Sequence, residues 1–449
     1  MHRPHVVIVG SGISGLSAAW HLRKTARVTV LEAQGRLGGH THTRVITLDG
    51  RQGPVDTGFI VFNDRTYPEL LAWFEALNVP SHPADMSLSV SADRSQLEWC
   101  GRNLRTVFAQ PKNLFSGRFW RMLSDILRFN REATDLLHRA EQGRGDPRSL
   151  GEVLDDLKLS AAFESLYLLP MAGAIWSCPL EQMREMPFLS FARFCVNHGL
   201  LQIFNRPQWR SVRGGSHTYI EQLQARLHTE SAPVEFKTHH EVTSLAPARD
   251  DRGPVIYGHD HRRQSDFSLE ADAVILAGHT DQSARVLAEY EHPAQPWLAQ
   301  FQYQANTAYL HTDQSLMPRH RAAWAAWNVR ADAPGQDVSV TYWMNQLQDL
   351  AFERPVLVSL NPSQAPKPES VLETIPYSHP VFDQAAQESV RALQNLQGEG
   401  GVWLAGAWTG YGFHEDGFRS GRMAAQGLLR QLERRAQGSR PDSVSLHAA

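Results

Sequence analysis

Six residues near the start of the chain carry the first sign of chemistry. Gly10-Ser11-Gly12-Ile13-Ser14-Gly15 has the glycine spacing that lets a backbone turn tightly, approach an anion, and then pack as a helix on a strand. Such a loop holds phosphate through backbone N–H groups at a helix N-terminus, where the helix dipole also favours negative charge. Glu32 follows Gly12 by twenty positions, where a carboxylate accepts hydrogen bonds from a nucleotide ribose. A dinucleotide is the expected ligand.

The elements that must position these residues are legible around them. Val6-Val7-Ile8-Val9 is an apolar run of the kind buried on both faces of a parallel sheet. Leu16 to Leu22 continues as a helix, and Val28-Thr29-Val30-Leu31 reads as a second strand ending on Glu32. Ala273-Val274-Ile275-Leu276-Ala277 is a further buried run. Val402-Trp403-Leu404-Ala405-Gly406-Ala407 is a strand running into a glycine turn.

A length of 449 residues exceeds one simple core and predicts two domains or two interleaved halves. The net charge of -3 argues against nucleic acid, whose binding rests on phosphate neutralisation. Cys100, Cys178 and Cys195 show no paired spacing, so neither a disulfide framework nor a metal site is expected. No apolar run approaches the roughly 20 residues of a membrane span. Val6 to Val9 is also too short for a secretory signal core. These features predict a cytoplasmic protein, with peripheral contact at the inner membrane face left open.

Glu32-Ala33-Gln34-Gly35-Arg36-Leu37-Gly38-Gly39-His40-Thr41 resembles the second glycine signature of the amine oxidase, protoporphyrinogen oxidase and phytoene desaturase superfamily. His40 stands where many members carry Arg. Asp56-Thr57-Gly58-Phe59 is similar to the strand end that lies beside the flavin ring in that superfamily. Gly214-Gly215-Ser216 resembles the glycine pair opening its return helix, and Val242 the residue packing near adenine. The block from Trp408 through Tyr411, His414, Glu415, Asp416 and Gly417 to Phe418 resembles its C-terminal motif, with a helix starting near Phe418. Glu415 and Asp416 have two open readings, facing the flavin or capping that helix.

The resemblance implies an α/β fold with an α+β cap: a discontinuous Rossmann-type FAD-binding domain and an interleaved substrate domain. The expected FAD segments are 1–75, 211–290 and 400–433; the cap segments are 76–210 and 291–399, and 434–449 is a flexible tail. FAD is expected to be non-covalent, since no Cys lies near the C-terminal block. The residues implied to bind it are Gly10 to Gly15, Glu32, Ala33, Arg36, Gly38, Gly39, His40, Thr41, Gly58, Phe59, Val242, Ala277, Gly406, and Glu415 to Phe418.

The cap segments hold no diagnostic catalytic triad or metal site. Met171 to Pro179, Phe191 to Leu201 and Trp324 to Trp327 are rich in apolar and aromatic groups, which collectively favour a hydrophobic tunnel. Across 118–131, Arg118, Arg121, Ser124, Asp125, Arg128 and Arg131 fall on one helical side and the apolar residues on the other, Asn130 excepted. Such a helix either packs inward or lies on an anionic membrane.

Gly173 to Ser177, Asn197 to Leu201, Arg206-Pro207-Gln208-Trp209, Leu310 to Asp313 and Trp324 to Asn328 resemble one bacterial branch of flavoproteins. That branch is similar to the N-terminal flavin domain of plant cyclopropane fatty acid synthases. The resemblance implies a lipid-like, fatty acyl substrate. The expected reaction is hydride transfer from it to flavin N5, by a desaturase or dehydrogenase. The alternatives are a double-bond isomerase, an amine oxidase, and a non-catalytic accessory of a lipid methyltransferase partner. Many amine oxidases place a Lys near the flavin; the corresponding region, Gln302 to Thr307, has none. His414 and then His198 are the candidate acid or base, with Tyr411 a candidate wall of the ring.

Overall fold

The computed structural model describes residues 3–92, 97–143, 145–176, 180–202, 205–229, 234–247, 253–330 and 339–436. Residues 437–449 of the expected tail and Ser177-Cys178-Pro179 of the expected apolar segment lie outside the described residues. The chain divides into two compact units, one comprising Met1–His40, Ile220–Phe301 and Glu388–Ala449, the other Thr41–Tyr219 and Gln302–Gln387.

In the first unit, β1 (His5–Val9) leads through α1 (Ile13–Leu22) to β2 (Arg27–Glu32). Then come β3 (Glu235–Thr238), β4 (Ala273–Leu276), β5 (Val402–Leu404) and the long helix α2 (His414–Ala436). The strands form one sheet in the order β3-β2-β1-β4-β5, parallel at every pairing. Val6, Val7, Ile8, Val274 and Ile275 are fully buried, as the continuous apolar runs require. The order reverses between β1 and β4, and doubly wound sheets bind nucleotides outside the strand ends at such a switch point. A separate antiparallel sheet of His240–Pro247, Pro254–Asp260 and Ser265–Glu270 completes this unit.

The second unit is built on a seven-stranded sheet. Its order is Val371–Pro380, Tyr303–His311, Leu357–Leu360, Ser339–Trp343, Trp327–Arg330, Leu88–Ala92 and Leu97–Cys100. All neighbours are antiparallel except Trp327–Arg330 beside Leu88–Ala92. Residues 41–75, expected with the FAD segments, group here. The hairpin Thr43–Leu48 with Arg51–Asp56 buries Ile46, Leu48 and Val55 in one core with Leu310 and Val358.

Helix Gly117–Glu141 turns Phe119, Met122, Phe129 and Leu137 inward. Asp125, expected on the polar side, is buried too; it accepts the Ser160 N–H at 3.0 Å and pairs with Arg121 at 3.3 Å. Trp120 and Leu127, expected with the apolar side, are exposed. The apolar residues wrap too much of the helix for one seam to cover them all. No helix among the described residues is long and apolar enough to cross a membrane.

Candidate functional site: a dinucleotide cradle

β1 ends at Gly10, whose φ of 97° suits a residue without a Cβ. Its N–H donates to Leu31 O at 2.8 Å, and a Cβ there would stand 3.1 Å from Ala277 O. The ends of β1, β2 and β4 thus meet at one point. Gly12 follows as the N-cap of α1, with no side-chain cap and no acid in the first turn. A Cβ on Gly12 would meet no protein atom within 4 Å. The first-turn N–H groups of α1 therefore lack the carboxylate or hydroxyl that caps most helices, and they suit a bound anion.

Ser11 ties the two glycine signatures together. Its N–H and Oγ donate to Glu32 Oε2 at 3.0 and 2.6 Å, and Glu32 Oε1 accepts the Gln34 N–H at 2.9 Å. The carboxylate is held rigidly, with acceptor capacity left on Oε1. The Gly38 N–H in turn donates to Ser11 O at 3.1 Å and to Ser11 Oγ at 3.2 Å. Arg36 braces the loop by donating to Gly39 O at 2.8 Å, and a Cβ on Gly39 would lie 3.2 Å from Gly12 Cα. The His40 ring lies 5.8 Å from that of His279. Ala33 is exposed and Val242 buried, the latter beside an irregularity in its strand register.

The C-terminal block closes on the same helix. The Gly406 N–H donates to Ser420 Oγ at 3.1 Å. Asp416 Oδ2 accepts the N–H groups of Tyr411 at 3.0 Å and Phe413 at 3.1 Å, so α2 begins at His414, a turn before the expected Phe418. Asp416 takes the capping role; burial raises its carboxyl, and those two N–H groups draw it back. Glu415 is buried with Arg419 at 3.9 Å. A Cβ on Gly417 would stand 2.6 Å from Ile13 Cγ2, and Ser17 Oγ donates to Phe418 O at 2.7 Å. The N-terminal turns of α1 and α2 are thus packed together, and two positive helix ends adjoin. Burial pushes His414 down to about 3, so its imidazole is neutral at pH 7 and has no proton to donate as a cation.

Four expected site residues fall in the second unit. The Thr41 hydroxyl is buried against the Tyr219 hydroxyl, Gly58 is half-buried, and Phe59 stacks on Phe62 at 6.4 Å. His198 Nδ1–H donates to Phe194 O at 2.9 Å, and burial lowers the imidazole to about 4. Sequence reasoning missed what holds the strand end before Gly58. Asp56 is fully buried, and its carboxylate accepts the Ser216 N–H at 2.9 Å, Ser216 Oγ at 2.8 Å, Gln348 Nε2 at 2.6 Å, and the Thr43 hydroxyl. Desolvation nevertheless raises it to about 6. Next to it, the Tyr377 hydroxyl lies 3.1 Å from His42 Nδ1 and 3.0 Å from Thr57 Oγ1. The Asp-Thr pair after Pro54-Val55 was the only local signal.

The fold has many solved relatives. A structure of putrescine oxidase bound to putrescine superposes with a TM-score of 0.66 at 15% identity, covering 96% of this chain and 99% of that one. A protein described as a putative protoporphyrinogen oxidase from Exiguobacterium sp. 255-15 gives 0.64 at 18% identity, over 96% and 100% of the two chains. The CLA-producing fatty acid isomerase from P. acnes gives 0.65 at 13% identity, over 95% and 98%. At these identities the likeness speaks for the fold. Among curated proteins, probable polyamine oxidase 4 of Arabidopsis thaliana is 52% identical over 42 residues, only 9% of this chain and 8% of that protein. The model of the flavin containing amine oxidoreductases matches residues 13–429, from the first turn of α1 into α2. The chain therefore belongs to the flavin-containing amine oxidoreductase family and is an FAD-dependent oxidoreductase.

Proposed function

We propose that the protein removes two hydrogens from an acyl chain that carries an anionic head, acting as a desaturase or dehydrogenase of lipid-like substrates. One observation carries this reading. In the second unit, Phe62, Tyr67, His198 and Trp209 form an aromatic cluster with ring separations of 6.2 to 6.5 Å. Three arginines at neighbouring positions hydrogen-bond to neutral acceptors: Arg65 to Gln202 Oε1 and Asn205 O, Arg206 to Gln202 O, and Arg210 to Ser81 Oγ. Guanidinium groups bonded to neutral partners keep their positive field, which attracts a carboxylate or phosphate and repels an ammonium. His198, neutral at pH 7, adds no charge. Aromatic hydrocarbon beside that field suits a fatty acyl anion better than a polyamine.

Two further features support it. Residues 302–307 contain no Lys; Asn306 is buried there, its Nδ2 donating to Gln304 O at 2.8 Å and its Oδ1 accepting from Asn361 at 2.6 Å. One protein of the same fold is named a fatty acid isomerase. In the first unit, the loop from Gly10 to Gly15 would hold the cofactor diphosphate at the α1 N-terminus, Glu32 the ribose, and the adjoining α2 N-terminus would favour negative charge. Bound FAD supplies the two-electron redox chemistry by accepting hydride.

The test is anaerobic mixing of the yellow protein with oleate, linoleate, putrescine and spermidine, followed by mass analysis. Bleaching with a fatty acid and a product lighter by two hydrogens is expected. The isomerase named above makes double-bond migration the second reading, and an acyl product of unchanged mass would select it. Bleaching by the amines alone would overturn both.

A further inference from the structure

One face of the second unit combines exposed hydrocarbon with excess positive charge. Phe115 is 90% exposed, Leu104 79%, Leu127 55% and Trp120 50%. They form one patch. Trp120 Nε1 donates to Leu114 O at 2.9 Å, and the Trp120 ring stands 5.3 Å from Phe108, whose N–H bonds to Leu104 O at 3.2 Å. Leu127 lies two turns along helix Gly117–Glu141 from Trp120, on the face opposite the buried Phe119, Met122 and Phe129. Residues 101–131 contain seven Arg and Lys against one acid, in a chain whose net charge is -3. With Arg102 paired to Asp85, Arg121 to Asp125 and Arg131 to Glu132, the segment still keeps a positive excess.

We propose that this patch docks the protein on the surface of an anionic lipid bilayer. Phe115, Trp120 and Leu127 enter the interface between headgroups and acyl chains, and Arg105, beside Leu104, and Arg128, beside Leu127, meet lipid phosphates. The chemistry favours a bilayer. Isolated apolar side chains on a basic background match an interface that is hydrocarbon below and negatively charged above. The Trp120 N–H is already satisfied by Leu114 O, so burying the indole leaves no orphan donor. The docking helix is the one whose inward seam is filled by its own unit, so the contact needs no unfolding. Docking does not depend on the acyl-substrate reading, because its assay measures partitioning and not turnover.

The experiment uses the FAD-loaded full chain and vesicles of phosphatidylcholine with or without about a quarter phosphatidylglycerol. Co-sedimentation with the anionic vesicles at low salt is expected, with release at high salt and little binding to pure phosphatidylcholine. Each basic residue near an anionic surface is worth about five-fold in partitioning, so Arg105→Gln with Arg128→Gln lowers binding by about 25-fold. Phe115→Ser with Trp120→Ser weakens binding at every salt concentration. Flavin absorbance and circular dichroism matching the wild type show that both double variants fold. The proposal is overturned if the wild type ignores anionic vesicles or if both folded variants bind as it does. Dimerisation that Phe115→Ser abolishes, without vesicle binding, would instead assign the patch to a second copy.

Discussion

Gly421 of α2 stands so close to Ser14 of α1 that a Cβ on Gly421 would lie 2.0 Å from the Ser14 carbonyl oxygen. Backbone meets backbone there, so no side chain can swing aside. The contact lies one turn beyond Gly417, which packs on Ile13, and it keeps both helix N-termini at one end of the seam. A helix contributed by the end of the chain thereby completes the cradle made by its beginning.

Gly421→Ala must push the helices apart. Overpacking of this kind costs about 1–3 kcal/mol, and the shift moves the α2 N-terminus away from the α1 loop. The expected outcome is a lower melting temperature together with flavin lost on gel filtration. A variant that melts and retains flavin as the wild type does would show that the seam has slack.

Glu32→Gln tests the anchor of the first loop. The carboxylate takes three donors, from Ser11 N, Ser11 Oγ and Gln34 N; an amide puts its NH2 against at least one of them. Loss of a hydrogen bond to a charged group costs about 1.5–3 kcal/mol, so FAD should bind about 10- to 100-fold more weakly. Fluorescence of flavin released on dilution measures this. Unchanged affinity would mean that Glu32 neither orders the loop nor touches the ribose.

What the sequence disclosed and what it withheld divide by range. The Gly10–Gly15 loop, its strands and Glu32 lie within thirty residues, and their pattern is dictated by local backbone needs. Asp56 and Ser216 are 160 positions apart, and Asp56 and Gln348 are 292; no periodicity announces that a buried acid has found those donors. The early start of α2 was hidden for a related reason. Asp416 looks like an ordinary first-turn acid until its carboxylate is seen to bond back to Tyr411 and Phe413. In helix Gly117–Glu141 the apolar residues span too wide an arc, so pattern alone did not separate buried Phe119 from exposed Trp120.

Asp56 should make the protein less stable as pH rises. Its folded value of about 6 exceeds the ordinary 3.8. Its contribution is therefore fully present below about 3.8 and is lost as pH climbs through about 6, a change of about 3 kcal/mol. Asp56→Asn removes this titration but sets an amide NH2 against the Gln348 or Ser216 donors, at a cost of about 1–3 kcal/mol. Urea unfolding at several pH values should show the variant losing stability more steeply than the wild type as pH falls from 6 to 4. Parallel profiles would mean that Asp56 stays ionised throughout.

The buried histidines act in the opposite sense. His311 is fully buried; Nδ1 accepts the Asp313 N–H at 3.0 Å, so Nε2 carries the proton it donates to Ser359 Oγ at 2.8 Å. That neutral tautomer fills both bonds, and burial lowers the group to about 4, as it does for His198, against an ordinary 6.5. A depressed folded value means that stability is whole above about 6.5 and is lost as pH falls towards about 4, because the unfolded chain takes up the proton first. Between pH 7 and pH 5 each of these two histidines should remove about 2 kcal/mol. His311→Gln forfeits the fixed tautomer and should lower stability at pH 8, yet it should also shrink the loss between pH 7 and pH 5. A variant whose acid limb is as steep as that of the wild type would show that His311 is already protonated in the folded chain, and its two hydrogen bonds would then have to be reassigned.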